Sequence, residues 1–186
     1  MSSVCVYCGS AVGYRDEYRQ AARALGSALV HAGITLVYGG GQRGLMGEIA
    51  DAVLQARGCV IGVIPKLLIE QEVGHRNLTE VHIVENMHER KKMMADLSDA
   101  FVALPGGTGT FEELFEIYTW AQLGYHEKPV GLLNVAGYHD LLLAMLHHAA
   151  NEGFMRHDYI GLLQVTSDAD TLLDKLQHYV SPISNK

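Results

Sequence analysis

Short apolar runs alternate along this chain with longer stretches of helical period, and glycine or proline closes most of them. Nothing else in the sequence limits the fold as tightly. Residues 3–7 form an apolar run ending at Cys8-Gly9-Ser10, which predicts a strand and a turn. Residues 14–31 carry apolar groups at helical spacing (Tyr18, Ala21, Ala22, Leu25, Ala28, Leu29), and Gly33 stops them. The pattern then repeats. A strand over 34–38 runs into Gly39-Gly40-Gly41 and a helix over 44–57. A strand over 59–64 is closed by Pro65, and residues 66–80 hold a short helix and a loop. Strands are predicted at 80–85, 100–104, 129–133 and 162–166. Helices are predicted at 86–98, from the 106–109 glycines to about 124, at 138–151, and from a Ser167-Asp168 cap to about 179.

This alternation predicts an α/β fold: a Rossmann-like, doubly wound, mostly parallel sheet with helices on both faces. A chain of 186 residues without a Pro/Gly/Ser-rich linker or a repeat makes one nucleotide-binding domain, residues 1–180, with a polar tail at 181–186. Ligands in such sheets sit at the carboxyl ends of strands, near the point where strand order reverses. The glycine clusters 39–41 and 106–109 both end predicted strands, so they can form two walls of one pocket.

Charge and composition narrow the partners. A net charge of −7 with His neutral argues against nucleic acid and anionic membrane. No apolar run is long enough to span a bilayer, and no secretory signal opens the chain. Three cysteines do not make a disulfide framework, so the expected setting is the cytoplasm. Cys5-Val6-Tyr7-Cys8 is a C-x-x-C, but Cys5 sits within a strand pattern rather than at a helix start, and buried small residues are the better account. The ten histidines include no H-E-x-x-H and no metal spacing on one helix face, so no metal is expected.

Three segments carry chemistry. Gly39-Gly40-Gly41-Gln42-Arg43-Gly44 matches the dinucleotide fingerprint G-x-G-x-x-G, yet the next strand ends at Pro65 with no acid to hold a ribose hydroxyl. A tight turn with phosphate contact fits better than NAD. Leu104-Pro105-Gly106-Gly107-Thr108-Gly109-Thr110-Phe111-Glu112-Glu113 joins a strand to a helix through glycines, the arrangement that presents free N–H groups to an anion. Two carboxylates in the first turn of that helix sit oddly beside a phosphate site. Thr110 and Glu113 also make a T-x-x-E capping box, and the local pattern alone favours that reading. Against it stands Met87-His88-Glu89-Arg90-Lys91-Lys92-Met93-Met94. Three consecutive cations usually make a solvated face, but Arg90 and Lys91 lie near a strand end one βα unit earlier and can point into the same pocket. A phosphate loop, a cation pair and a carboxylate together describe a site where a phosphorylated substrate is cut.

These residues resemble the LONELY GUY (LOG) family, whose signature is P-G-G-x-G-T-x-x-E with an upstream R-K-x-x-M. The segments Thr119-Trp120-Ala121-Gln122-Leu123-Gly124 and Lys128-Pro129-Val130-Gly131-Leu132-Leu133-Asn134 are similar as well, and the likeness runs from about residue 3 to 180. The resemblance implies a cytokinin riboside 5′-monophosphate phosphoribohydrolase. Such an enzyme releases a free N6-substituted adenine and ribose 5-phosphate, and many bacterial members also accept AMP. It implies Arg90 and Glu113 as the catalytic pair and Lys91 as a substrate contact. The loop of Gly107, Thr108, Gly109 and Thr110 becomes the phosphate cradle, with Glu72 and Thr119 as further contacts; the two-wall reading of the glycine clusters adds Gly106, Gly40 and Gly41 as candidate substrate contacts. It also implies a homodimer or larger homo-oligomer and no cofactor. The family's older label, lysine decarboxylase, finds no support here, because Lys91 among other cations is a poor Schiff-base lysine.

Breaking an N-glycosidic bond builds positive charge on the sugar. Glu113 is therefore expected to stabilise that charge and to orient or deprotonate water, kept ionised by the helix N-terminus. Arg90 is expected to position phosphate and Glu113, with Lys91 supporting the phosphate, since guanidinium is no proton donor. Two rival readings stand beside this one: a non-catalytic carrier of a nucleotide or phosphorylated cofactor, and a nucleosidase for other monophosphates such as CMP or GMP.

Overall fold

The computed structural model describes residues 1–71 and 74–183. Seven strands form one sheet: β1 (Ser3–Tyr7), β2 (Thr35–Tyr38), β3 (Val60–Pro65), β4 (Glu80–Val84), β5 (Ala100–Ala103), β6 (Val130–Leu133) and β7 (Leu163–Thr166). Their order is β4-β3-β2-β1-β5-β6-β7 and every pairing is parallel. The sheet expected to be mostly parallel is wholly so among the described strands. The central strands β1, β2, β5 and β6 are continuous apolar runs because both of their faces are covered.

The helices are α1 (Asp16–His31), α2 (Gly44–Gln55), α3 (Lys66–Gln71), α4 (Met87–Asp96), α5 (Thr108–Gln122), α6 (Asp140–Asn151), α7 (His157–Ile160) and α8 (Ala169–Gln177). Alternate strand residues split the core in two. Val4, Val6, Leu36 and Val102 pack with Leu25, Leu29 and Ile49 under α1, α2 and α8. Cys5, Tyr7, Val37 and Phe101 pack with Met94, Leu114, Ile117 and Tyr118 under α4 and α5. Each such Leu, Ile or Phe contributes about 1.5–3 kcal/mol by leaving water, so the two layers fix the sheet between them.

The expected stops and caps operate. Gly33 takes φ 67° and donates to the Val30 carbonyl (3.0 Å), ending α1. Asp168 accepts from the Thr171 N–H (2.8 Å), starting α8. The four-residue α7 has no counterpart in the expectations, because one turn is too short to show a period.

Strand order positions the site. The chain steps from β1 outward to β4, then returns to lay β5 on the other side of β1. The loops after β1 and β5 thus leave neighbouring strands in opposite directions and open a crevice between them. The Gly9 N–H donates to the Pro105 carbonyl (3.0 Å), and the Leu104 N–H donates to the Tyr7 carbonyl (2.9 Å), which fixes that junction.

Candidate active site

A cleft of about 270 Å³ opens at this junction. Gly39 from the end of β2 and Gly107, Thr108, Gly109 and Thr110 from the start of α5 line the same space, with Arg90 and Glu113 between them. The two glycine turns therefore face each other across one opening.

The start of α5 differs from the expected capping box. The helix begins at Thr108 with Gly107 as N-cap and no side-chain cap. Thr110 lies inside the first turn, buried, its Oγ1 close against Gly106, where a Cβ would come within 2.1 Å. The N–H groups of Thr108, Gly109 and Thr110 precede any possible intrahelical acceptor. Glu112 and Glu113 fall in the second turn, so the first turn of α5 holds no carboxylate. A side-chain cap does form, on α4: Asn86 Oδ1 accepts from the Glu89 N–H (2.9 Å), while the Glu89 carboxylate reaches past the N-cap to accept from the Glu85 N–H (3.0 Å).

Freed from capping, Glu113 pairs with Arg90, Oε1 to Nη1 at 3.4 Å, with both side chains about nine-tenths hidden from solvent. Arg90 is anchored from behind. Its Nε donates to the Val63 carbonyl (3.1 Å) and its Nη2 to the Gly39 carbonyl (3.3 Å), so the ends of β2 and β3 hold the guanidinium plane. Burial pushes the Glu113 carboxyl up from 4.5 to about 7; Arg90 opposes the rise and Glu112 adds to it. The sequence-based expectation that a helix N-terminus keeps this acid fully ionised is corrected here. The dipole acts within the first turn, and Glu113 stands beyond it. A carboxyl balanced near neutrality suits acid–base work at physiological pH.

Lys91 does not share the cleft with Arg90. Its Nζ lies 2.6 Å from Glu112 Oε1 and 2.7 Å from Glu116 Oε2, and it faces a neighbouring groove with Trp120 and Tyr125. Successive helical residues point about 100° apart, so only one of the pair can enter. Burial works against the Lys91 charge, but hydrogen bonds to the two carboxylates outweigh it and raise its pKa.

Comparison with known proteins places this arrangement. A family model described as "Possible lysine decarboxylase" matches residues 46–176. A probable cytokinin riboside 5′-monophosphate phosphoribohydrolase of Oryza sativa subsp. japonica is 54% identical over 177 residues, covering 95% of this chain and 78% of that protein. A cytokinin riboside 5′-monophosphate phosphoribohydrolase of Arabidopsis thaliana is 50% identical over 177 residues, covering 95% and 83%. The chain belongs to the LOG family. Among solved structures, the molybdenum cofactor binding protein from Rippkaea orientalis superposes with a TM-score of 0.71 at 20% identity, covering 95% of each chain. The molybdenum cofactor carrier protein of Chlamydomonas reinhardtii gives 0.68 at 21%, covering 96% of this chain and 99% of that one. At such identities the likeness is one of fold.

In this LOG protein, Gly107, Thr108, Gly109, Thr110, Arg90 and Glu113 come together in the cleft, whereas Gly106 lines a separate cavity with Tyr18 and Tyr138. Gly40 and Gly41 are not among its lining residues. The Gly40 carbonyl accepts from the His75 N–H (3.0 Å), and Gly41 bridges to Gly74. Thr119 lies exposed further along α5, away from the opening. Glu72 lies outside the described residues.

Sequence reasoning overlooked the loop after β1. Cys8, Gly9 and Ser10 line the cleft, and Met46, Leu68 and Met87 add apolar wall. The signal was available, since Cys8-Gly9-Ser10 closes the strand that neighbours β5, but only strand order says which strands neighbour. Tyr138 was also missed. Its hydroxyl donates to the Gly106 carbonyl and its ring stacks on Phe111 at 6.4 Å, supporting the glycine loop from the opposite side.

Proposed function

We propose that this LOG-family protein hydrolyses the N-glycosidic bond of cytokinin riboside 5′-monophosphates, and of AMP, releasing free base and ribose 5-phosphate. The observation that carries the reading is the buried Glu113 carboxyl, paired with Arg90, beside the open amides that begin α5. The phosphate is assigned to the N–H groups of Thr108, Gly109 and Thr110 at the positive end of the helix. That grip brings C1′ toward Glu113 and directs binding energy to the bond that breaks. As the C1′–N bond breaks, the base departs with the bonding pair and takes a proton from solvent water; the ionised Glu113 stabilises the oxocarbenium-like sugar and takes a proton from the attacking water as its oxygen bonds to C1′. Arg90, held by the Val63 and Gly39 carbonyls, fixes the carboxylate and stays charged throughout. Activity in this scheme falls as pH drops through about 7, where Glu113 takes up a proton.

The test is free base measured by chromatography from AMP, a cytokinin riboside monophosphate, CMP and GMP. Glu113→Gln should cut release by about 10²–10³ while ribose 5-phosphate still binds. A wild-type protein that releases nothing, or that cuts adenosine as fast as AMP, overturns the reading. The fold is shared with cofactor carriers, and a carrier would bind nucleotide equally well in both forms without cleavage.

We further infer a cytoplasmic homodimer or larger homo-oligomer. The cysteines Cys5, Cys8 and Cys59 are free, and Leu123 and Tyr125 stand well exposed near the end of α5. Light scattering on the purified protein checks the assembly.

A further inference from the structure

Tyr138 touches the anion-binding turn of α5 on both sides. Its hydroxyl donates to the Gly106 carbonyl, just before the N-cap Gly107. Its ring stacks on Phe111, just after Thr110, with 6.4 Å between centroids and 8° between planes. The N–H groups of Thr108, Gly109 and Thr110 lie between those two contacts. Behind the loop is a cavity of about 220 Å³ shared by Val12, Tyr18, Leu45, Pro105 and Tyr138, so close packing does not hold Gly106 in place. A hydrogen bond from a rigid ring does.

The turn that delivers Tyr138 is strained. Ala136 takes φ 50° and ψ 32°, the left-handed region that a residue with a Cβ rarely adopts, and Gly137 follows at φ 71°. Such a conformation persists only where its surroundings over-determine it. Here Asn134 Oδ1 accepts from the His139 N–H (2.7 Å) and its Nδ2 donates to Asp140 Oδ1 (2.7 Å). The Asn134 N–H donates to the Thr166 carbonyl at the end of β7 (2.8 Å), and the Tyr138 N–H to the Val135 carbonyl (3.0 Å). Edge-on contact with Tyr18 of α1, 5.6 Å between centroids, sets the tilt of the ring. We propose that Tyr138 is a positioning residue that, held by this turn, fixes the Gly106 carbonyl and Phe111 so that the open amides between them converge on the substrate phosphate. This inference rests on the phosphoribohydrolase reading of the cleft. It assigns Tyr138 to binding rather than to chemistry, because Tyr138 does not line the cleft itself.

Steady-state kinetics with AMP, calorimetric binding of ribose 5-phosphate, inhibition by adenine and the melting temperature test this on wild type, Tyr138→Phe and Phe111→Leu. Tyr138→Phe keeps the ring and removes only the hydroxyl. It should weaken ribose 5-phosphate about five- to tenfold and raise KM for AMP by the same factor. Its kcat and its inhibition by adenine should stay within about twofold, because the phosphate contact is equal in ground and transition states. The acid limb of its pH profile should stay in place. Phe111→Leu should weaken ribose 5-phosphate by about threefold. Unchanged ribose 5-phosphate affinity in Tyr138→Phe overturns the proposal, and unchanged affinity in Phe111→Leu does so if Tyr138→Phe fails to fold. A parallel loss of adenine and ribose 5-phosphate with a lowered melting temperature makes Tyr138 a packing residue and overturns it as well. A wild type that binds AMP without releasing base is the separate failure of the hydrolase reading, and the ribose 5-phosphate comparison then still decides this one.

Discussion

The glycine turns at the ends of β2 and β5 look alike in sequence and serve opposite purposes. At Gly39 the missing side chain is replaced from within, since a Cβ there would lie 1.9 Å from Arg90 Nη2. At Gly107 and Gly109 a Cβ would meet nothing within 4 Å. The first turn is bare so that the protein can fill it with a guanidinium. The second is bare toward solvent, and what needs its space comes from outside. A run of glycines thus marks close approach without saying what approaches.

Four measurements can break or sharpen that contrast. Gly39→Ala should have the largest effect, cutting base release by about 10²–10³, because its methyl group displaces the guanidinium that orients Glu113; near-normal activity would show that Arg90 need not sit there. Next is stability against pH. Glu113 has a folded pKa of about 7 above its ordinary 4.5, so its contribution is fully present below the lower value and lost as pH rises through the higher one. Relative to Glu113→Gln, the wild type should lose about 2–3 kcal/mol of unfolding free energy between pH 5 and pH 8, measured by denaturant titration. A constant difference would mean that Glu113 is not desolvated. Gly107→Ala should raise KM for AMP about tenfold, a loss of ~1.4 kcal/mol, and leave the melting temperature in place. A lowered melting temperature would make Gly107 a structural glycine like Gly39. The smallest change is expected for Gly109→Ala, which sits in a helix with open space above it and should gain a few tenths to about 1 kcal/mol of stability while binding ribose 5-phosphate less well.

Much of this was legible in the chain. Residues 3–7 as β1, Gly33 as a stop and Asp168 as a cap emerged where local pattern put them, because period and turn chemistry are properties of neighbouring residues. The same locality misled at Thr110 and Glu113. A T-x-x-E reads as a capping box wherever it occurs, but the helix begins two residues earlier, at Thr108, and the side-chain cap forms instead on α4, where Asn86 accepts from the Glu89 N–H. Arg90 and Lys91 read as one cation pair and separate into different surroundings, since helical geometry turns them apart and α5 supplies carboxylates on both sides.

By itself the sequence determined the alternation of elements, the apolar faces that make one parallel sheet, and the glycines that end β2 and β5. Tertiary structure alone decided that the loop after β1 joins the site, that Gly39 houses Arg90, and that Glu113 loses its proton only near neutrality. The division has a physical cause. Periodicity and backbone preference act over a few residues, whereas strand order, desolvation and the field of one charge on another depend on atoms far apart in the chain.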